Sequence, residues 1–91
     1  MYEVNIHGIE NEKFTIGFTC SESEFQNTTI KQLKERIISE KSLPIEIENM
    51  RLIFTGKQLE DDQTFDYYSI KHKSTIMSVV RVPGGFIHLF I

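Results

Sequence analysis

A single helical pattern, with strand patterns on both sides of it, is the feature that most constrains the fold of this 91-residue chain. Apolar residues occupy every second position from Tyr2 to Ile6 and again from Phe14 to Phe18. Strict alternation predicts strands with one buried face, and the polar turn between the two runs predicts an N-terminal β-hairpin. Residues 19–28 are mostly polar and have no period, so we predict a loop there.

The stretch TTIKQLKERIISEK predicts an amphipathic helix because its apolar side chains return with helical spacing. The residues that share this stripe are Ile30, Leu33, Ile37 and Lys41, with Ile38 beside them. Thr29 and Gln32 have the spacing of a capping box, in which each side chain bonds the other residue's backbone N–H. Pro44 predicts the end of the helix, since a residue before proline is pushed out of the helical region.

The second half of the chain predicts three further strands. The first starts at Met50, and a short second strand ends near Leu59 after a turn at Gly56. The third is the β-branched stretch 75–82. The element order predicts an α+β fold, with a mixed sheet of about five strands packed on one helix. Core anchors in the irregular segment before the last strand are predicted at Phe65, Tyr68 and Ile70.

The composition argues against several classes of protein. A net charge of −3 disfavours nucleic-acid binding, which usually needs a basic excess. The three histidines have no ligand spacing and Cys20 has no cysteine to pair with, so we expect no metal site, no cofactor and a reducing compartment. No leader peptide, membrane-spanning stretch or catalytic pairing is visible. We expect a monomeric, non-enzymatic protein of the cytoplasm or nucleus, without nucleic-acid or membrane partners.

Alternation in the last strand leaves apolar side chains on both of its faces. If Ile76 and Val80 face the helix, Met77 and Val79 face solvent. The same argument applied to the first strand of this half leaves Ile53 pointing outward. Clustered exposed apolar residues are typical of protein-binding surfaces, although single surface apolar residues are common.

Ser78 occupies a position where the alternation predicts an apolar core residue. A buried hydroxyl without a hydrogen-bond partner costs about 1–3 kcal/mol. We therefore expect either a backbone carbonyl that accepts from this hydroxyl or a local disturbance of the strand register.

The run from Arg51 to Gly85 resembles the ubiquitin family without a gap. The motifs that carry the resemblance are RLIF, GKQLED, ST and the final GG. The helix fits the same family pattern, and one insertion before it and one after it fall in loops, where extra residues cost little. The resemblance implies a ubiquitin-like β-grasp domain over residues 1–85, followed by a C-terminal tail at residues 86–91.

The resemblance also implies where partners bind. Ile53 and Val79 match the main recognition patch of the family, with Ile9 from the first turn as a third member and Met77 at the edge. Such a patch binds ubiquitin-receptor domains or the proteasome. Lys57 matches the lysine on which proteasome-directed chains are built, or it is an ordinary solvated loop lysine.

The tail pattern resembles that of a precursor. In the family, a processing protease exposes a di-glycine terminus, which activating and conjugating enzymes then carry to target lysines. Gly84 and Gly85, followed by FIHLFI, imply removal of residues 86–91 and conjugation through Gly85. Arg51 and Arg81 match contacts of the activating enzyme.

Pro83 leaves an alternative open. It stands where the family commonly has a basic residue, and Pro-Gly-Gly is also a turn signal. In this alternative the chain reverses, and FIHLFI adds an extra strand with Phe86, His88 and Phe90 on one face. The protein would then be a non-conjugated ubiquitin-like binding module that uses the same apolar patch. A third alternative is self-association through the hydrophobic tail.

Overall fold

A computed structural model describes residues 1–8, 12–81 and 87–88, and it gives Arg81, Ile87 and His88 as backbone. Its strands are β1 (Tyr2–His7), β2 (Lys13–Phe18), β3 (Met50–Phe54), β4 (Lys57–Gln58), β5 (Thr75–Arg81) and β6 (Ile87–His88). Its helices are α1 (Glu22–Gln26) and α2 (Ile30–Lys41), and 3-10 turns cover Ile47–Asn49 and Asp66–Tyr68. The predicted N-terminal strands, the helix and the last long strand are confirmed.

The strands form one mixed sheet in the order β2-β1-β5-β3-β4, with β6 paired to β5 off this path. β1 and β5 run parallel, and the remaining pairs are antiparallel. A parallel pair needs a long connection between its strands, and α2 lies within that connection. The predicted α+β, ubiquitin-like β-grasp fold is confirmed, and β6 is a strand beyond the five expected.

The hydrophobic core lies between α2 and one face of the sheet. Ile30, Leu33 and Ile37 are completely buried, as their helical spacing predicts. The strands supply alternate buried residues to the same cluster, namely Val4, Ile6, Ile16, Phe18, Met50, Leu52, Ile76 and Val80. Of the three core anchors predicted before β5, two are buried and the third, a tyrosine, is half-buried.

Lys41 continues the stripe of α2 but does not share its burial. Lys41 is exposed at the last position of the helix. Its ammonium nitrogen lies 4.3 Å from the centroid of the half-buried Phe14 ring. A lysine stem can cover apolar surface while its charged head stays in water, so helical spacing alone does not bury it.

The loop predicted for residues 19–28 is wrong, because the segment contains helix α1. Ser21 begins the helix and accepts a hydrogen bond from the Glu24 N–H at 3.1 Å, while the Glu24 carboxylate accepts one from the Ser21 N–H at 2.9 Å. The backbone N–H and then the hydroxyl of Ser21 hold the pKa of Glu24 below its ordinary value. A helix of five residues is too short to show a period, so the Ser-x-x-Glu spacing was its only signal.

Phe25 is the reason that α1 belongs to the core. Its side chain is 2% exposed. The ring stacks on Tyr2 with centroids 4.9 Å apart and meets the edges of Phe18 and Phe65 at 5.5 and 5.1 Å. Offset and edge-to-face arrangements at these distances are favourable for aromatic pairs. The insertion before α2 therefore adds an aromatic residue to the core.

Ser78 satisfies neither sequence-based expectation. The β3–β5 register is continuous through it, with Leu52 directly opposite. Its hydroxyl oxygen is buried and has no hydrogen-bond partner in the part of the chain that the structure describes. The strand therefore retains its register and carries an unsatisfied hydroxyl in the core.

Candidate functional site

The outward side of the β3–β5 ladder brings three apolar residues together. Ile53 pairs directly with Met77 across the two antiparallel strands, and Val79 pairs with Arg51 one step further along. Directly opposed side chains have Cβ atoms about 5 Å apart, and diagonal neighbours about 7–8 Å apart. We call Ile53, Met77 and Val79 the docking face. It combines the predicted patch residues that the structure describes.

The three residues of the docking face are accessible to a partner. Met77 is 43% exposed, and Ile53 and Val79 are half-buried. Their exposure follows from the strand period, because their neighbours Leu52, Ser78 and Val80 point to the core and are buried. Ile9, the remaining predicted member of the patch, lies outside the described residues.

Polar residues on three strands surround the docking face. Gln58 of β4 lies opposite Ile53, and His7 of β1 lies beside Met77. Arg51, predicted as a contact of the activating enzyme, is exposed opposite Val79. An apolar centre with a polar rim is the usual anatomy of a protein interface. The sequence analysis missed Gln58 and His7, because only the sheet pairing brings them to the rim.

Lys57 lies directly after a tight turn and is exposed. Thr55 and Gly56 form the two-residue connection between β3 and β4, and both have positive φ angles, 51° and 79°. Positive φ at both central positions is the requirement of a type I′ hairpin turn. The turn directs Lys57 into β4 opposite Phe54, where its side chain faces solvent. The amine is therefore accessible for chemical modification.

Lys34 has a different environment from Lys57. It is 6% exposed, and its ammonium lies 2.6 Å from the Asp61 carboxylate. The Asp61 side chain is 42% exposed, so the pair is only partly buried, but it occupies the Lys34 ammonium. Lys34 is therefore held within the fold, and Lys57 has the more accessible amine of the two.

The C-terminal end of β5 leads to the predicted processing site. β5 ends at Arg81, whose backbone alone is described, and Pro83, Gly84 and Gly85 lie outside the described residues. Beyond them, β6 returns antiparallel to β5, with His88 opposite Val80 and Ile87 opposite Arg81. This pairing has the geometry of the chain reversal that the alternative reading of the tail predicts.

Within residues 1–8, 12–81 and 87–88, no three histidine, cysteine, aspartate or glutamate side chains come together in a way that could hold a metal ion. None of the helices found there has the length and apolarity needed to cross a membrane.

Comparison with known proteins finds sequence similarity to one family. The model of the ubiquitin family matches residues 9–83. The NEDD8-like protein RUB3 of Arabidopsis thaliana is 37% identical over 57 residues, which is 63% of this chain and 70% of that protein. The ubiquitin-like protein NEDD8 of Dictyostelium discoideum is 38% identical over 56 residues, or 62% of this chain and 70% of that protein.

A longer protein also contains a similar segment. The UV excision repair protein rhp23 of Schizosaccharomyces pombe is 32% identical over 75 residues. The match covers 82% of this chain but 18% of rhp23. A sequence of this kind therefore occurs both in proteins of similar length and as a small part of a larger one.

Proposed function

The chain belongs to the ubiquitin family, and on that premise we propose that it is a ubiquitin-like protein modifier. It is made as a precursor, cut after Gly85, and conjugated through Gly85 to lysines of target proteins. Its partners are a processing protease, activating and conjugating enzymes of the ubiquitin type, and receptor domains or the proteasome. It works in the cytoplasm or nucleus and is not itself an enzyme.

The proposal is supported by the position of β5, because this one strand contributes to the docking face and leads in sequence to the di-glycine. β5 supplies Met77 and Val79 to the docking face and ends at Arg81, four residues before Gly85 in the sequence. Four extended residues span at most about 14 Å. A protein joined through Gly85 would therefore present its docking face close to the attachment point.

The test of the proposal is the intact mass of the protein recovered from its own cells. We expect a species that ends at Gly85, together with adducts to other proteins. The same chain carrying Gly85→Ala is the control, because its altered terminus should prevent both trimming and conjugation. Purified chain ending at Gly85 should then form a thioester with an activating enzyme. A protein that keeps residues 86–91 and forms neither adduct nor thioester contradicts the proposal.

A second candidate function is a non-conjugated binding module that docks ubiquitin receptors or the proteasome. The pairing of β6 with β5 favours it, because this pairing gives the residues after Gly85 a place on the sheet. The similarity to 18% of rhp23 is also compatible with such a role. In this case the full chain should bind a receptor domain and the recovered mass should retain FIHLFI. Replacing Ile53 would weaken docking under both functions and does not separate them.

A further inference from the structure

His72 holds the start of β1 against the segment that leads into β5. Its Nδ1 accepts a hydrogen bond from the Glu3 N–H at 3.1 Å. We propose that this histidine is a pH-dependent clamp, which is closed while the imidazole is neutral and opens when the ring takes up a proton. The inference concerns residues that the proposed function does not use, so it holds equally for a modifier and for a binding module.

The first step is where the backbone groups of Glu3 find their partners. Alternate residues of a strand direct these groups to opposite edges, and those of Glu3 point away from β2. The Glu3 carbonyl accepts from the Lys73 N–H at 2.7 Å, and the Glu3 N–H donates to His72. The pairing of β1 with β5 begins only with Asn5 opposite Thr75. The His72 side chain therefore takes the place of the backbone acceptor that β5 provides further along β1.

The second step is the number of protons on the imidazole. In a neutral imidazole one ring nitrogen donates and the other accepts. Because a backbone N–H can only donate, Nδ1 of the neutral His72 ring is the nitrogen without a proton. In the imidazolium both nitrogens donate, so the Glu3 N–H would face a second donor and the hydrogen bond would be lost. Histidine is the side chain that normally makes this change between about pH 5 and 8.

The third step is the charge around His72, which has both signs. Glu22 of α1 and Asp66 of the 3-10 turn line the same cleft as the imidazole, and their carboxylates attract an imidazolium. His72 is exposed, so the protonated ring is free to turn from the Glu3 N–H toward these carboxylates. The other titratable groups in the cleft or next to the clamp in the chain are the Glu3 carboxyl, the Tyr2 phenol, the Lys71 and Lys73 amines and the amino group of Met1. The cations among them repel the imidazolium and supply no acceptor for it.

The clamp is confined to this edge of the fold. The Tyr2 ring meets the His72 ring edge-on with centroids 5.9 Å apart, and it stacks on Phe25 at 4.9 Å. Phenol and benzene rings do not change charge between about pH 5 and 8. We therefore expect the stack, and helix α1 with it, to keep its place when the clamp opens. Opening is a local release of the start of β1 from residue 72.

The hydrogen bond can be observed directly by NMR, because both of its heavy atoms are nitrogen. In an isotope-labelled chain, a scalar coupling across the bond joins the Glu3 amide nitrogen to Nδ1 of His72. We would measure this coupling between about pH 8 and pH 5. At each pH we would also measure the protection of the Glu3 N–H against exchange with water, relative to an unstructured chain. The Asn5 N–H is the internal control, because it donates to the Ser74 carbonyl at 2.8 Å, an acceptor that does not titrate.

We expect the coupling near the upper end of this pH range and its loss near the lower end. Protection of the Glu3 N–H should fall several-fold over the same range, while that of the Asn5 N–H stays constant. In the His72→Asn chain the amide oxygen can accept from Glu3 but does not titrate, so protection of Glu3 should not depend on pH. In the His72→Lys chain the ammonium has only donors, so protection of Glu3 should be low throughout.

Constant protection of the Glu3 N–H in the unaltered chain would overturn the inference, as would the absence of the coupling at the upper end of the range. The same pH response in the His72→Asn chain would also overturn it, because another group would then open the clamp. Loss of protection at Asn5 together with Glu3 would contradict a local release. None of these measurements involves a protease, an activating enzyme or a receptor, so their outcome is separate from the test of the proposed function.

Discussion

The two faces of the β3–β5 ladder contain similar residues and have opposite roles. Met50, Leu52, Ile76 and Val80 on the inner face are at most 1% exposed. Ile53, Met77 and Val79 on the outer face are each adjacent to one of them in sequence, yet they remain accessible. Residue type therefore does not separate a core position from an accessible position here. The side of the strand separates them, because it determines whether helix α2 or solvent is the neighbour.

The comparison predicts that the inner face carries stability and the outer face carries binding. Burial against α2 contributes to folding, whereas the side chains of the outer face stay partly or largely exposed in the folded chain. Four changes test this division, and they are given in order of decreasing expected effect.

The largest effect is expected for Leu52→Ala, which leaves a cavity in a completely buried site. Removing such a leucine costs about 2–5 kcal/mol of unfolding free energy. The adjacent Ile53→Ala is the matched control, since it shortens a half-buried residue of the same strand. Urea unfolding of both variants measures the difference. Equal losses of stability would contradict the division between the two faces.

Ile53→Ala should instead reduce binding. Central apolar residues of an interface contribute about 1–2 kcal/mol or more when truncated, so we expect roughly tenfold weaker affinity for a ubiquitin-receptor domain. The chain ending at Gly85 is the appropriate background, because it lacks residues 86–91, which the proposed function removes. Glu35→Ala, an exposed change on helix α2, should leave the affinity unchanged. Calorimetry that finds the same affinity for the Ile53 and Glu35 variants would show that the docking face is misassigned.

Ser78→Ala should raise stability, because it removes a buried hydroxyl that has no partner among the described residues. An unsatisfied buried polar group costs about 1–3 kcal/mol. Because alanine also packs slightly less well than serine, we expect the unfolding free energy to increase by about 1 kcal/mol. Ser74→Ala is the control. Its hydroxyl oxygen accepts from the Lys71 N–H at 2.8 Å, so its removal should lower stability. Thermal unfolding that shows a loss of stability in both variants would indicate that the Ser78 hydroxyl forms a hydrogen bond.

The smallest effect concerns α1, which extends the inner core with Phe25. The pKa of Glu24 is lowered in the folded chain by hydrogen bonds from Ser21. A carboxyl group whose pKa is lower in the folded than in the unfolded chain stabilises the folded chain at pH values above its unfolded-state pKa. This stabilisation is lost as the pH falls through the folded-state pKa. Acidification should therefore change the NMR signals of the Phe25 ring before those of the Ile53 methyl groups.

Glu24→Gln provides the control for this acid effect. The amide can still accept from the Ser21 N–H but does not titrate in this range, so the early Phe25 change should disappear. An unchanged response in the Glu24→Gln chain would assign the effect to another carboxyl group.

Local sequence patterns were sufficient to predict most of the strands and the long helix. Alternation found β1 and β2, β-branched residues indicated β5, and helical spacing with a capping box found α2. Helical spacing placed Lys41 on the stripe of α2, but only the structure shows that it is exposed there. These patterns missed α1, because one short turn has no measurable period and its capping box was the only signal.

The candidate site was predicted in part. Alternation identified Ile53, Met77 and Val79 as outward-facing, and sheet pairing places them next to one another. The rim residues His7 and Gln58 had no signal of their own, because each comes from a strand far away in the sequence. Likewise, Lys34 and Lys57 look alike in the sequence, and only the ion pair with Asp61 separates them.

The sequence by itself determined which residues can face a core, where the long helix lies and which family the chain resembles. These properties follow from the periods of strands and helices, which are local. The tertiary structure decided which strands flank β5: β1 as far as Met77, β3 along one edge, and β6 beyond the end of β1. Such pairings join residues far apart in the chain, so their free energy depends on contacts that no local pattern contains. The docking face and its rim both depend on these pairings.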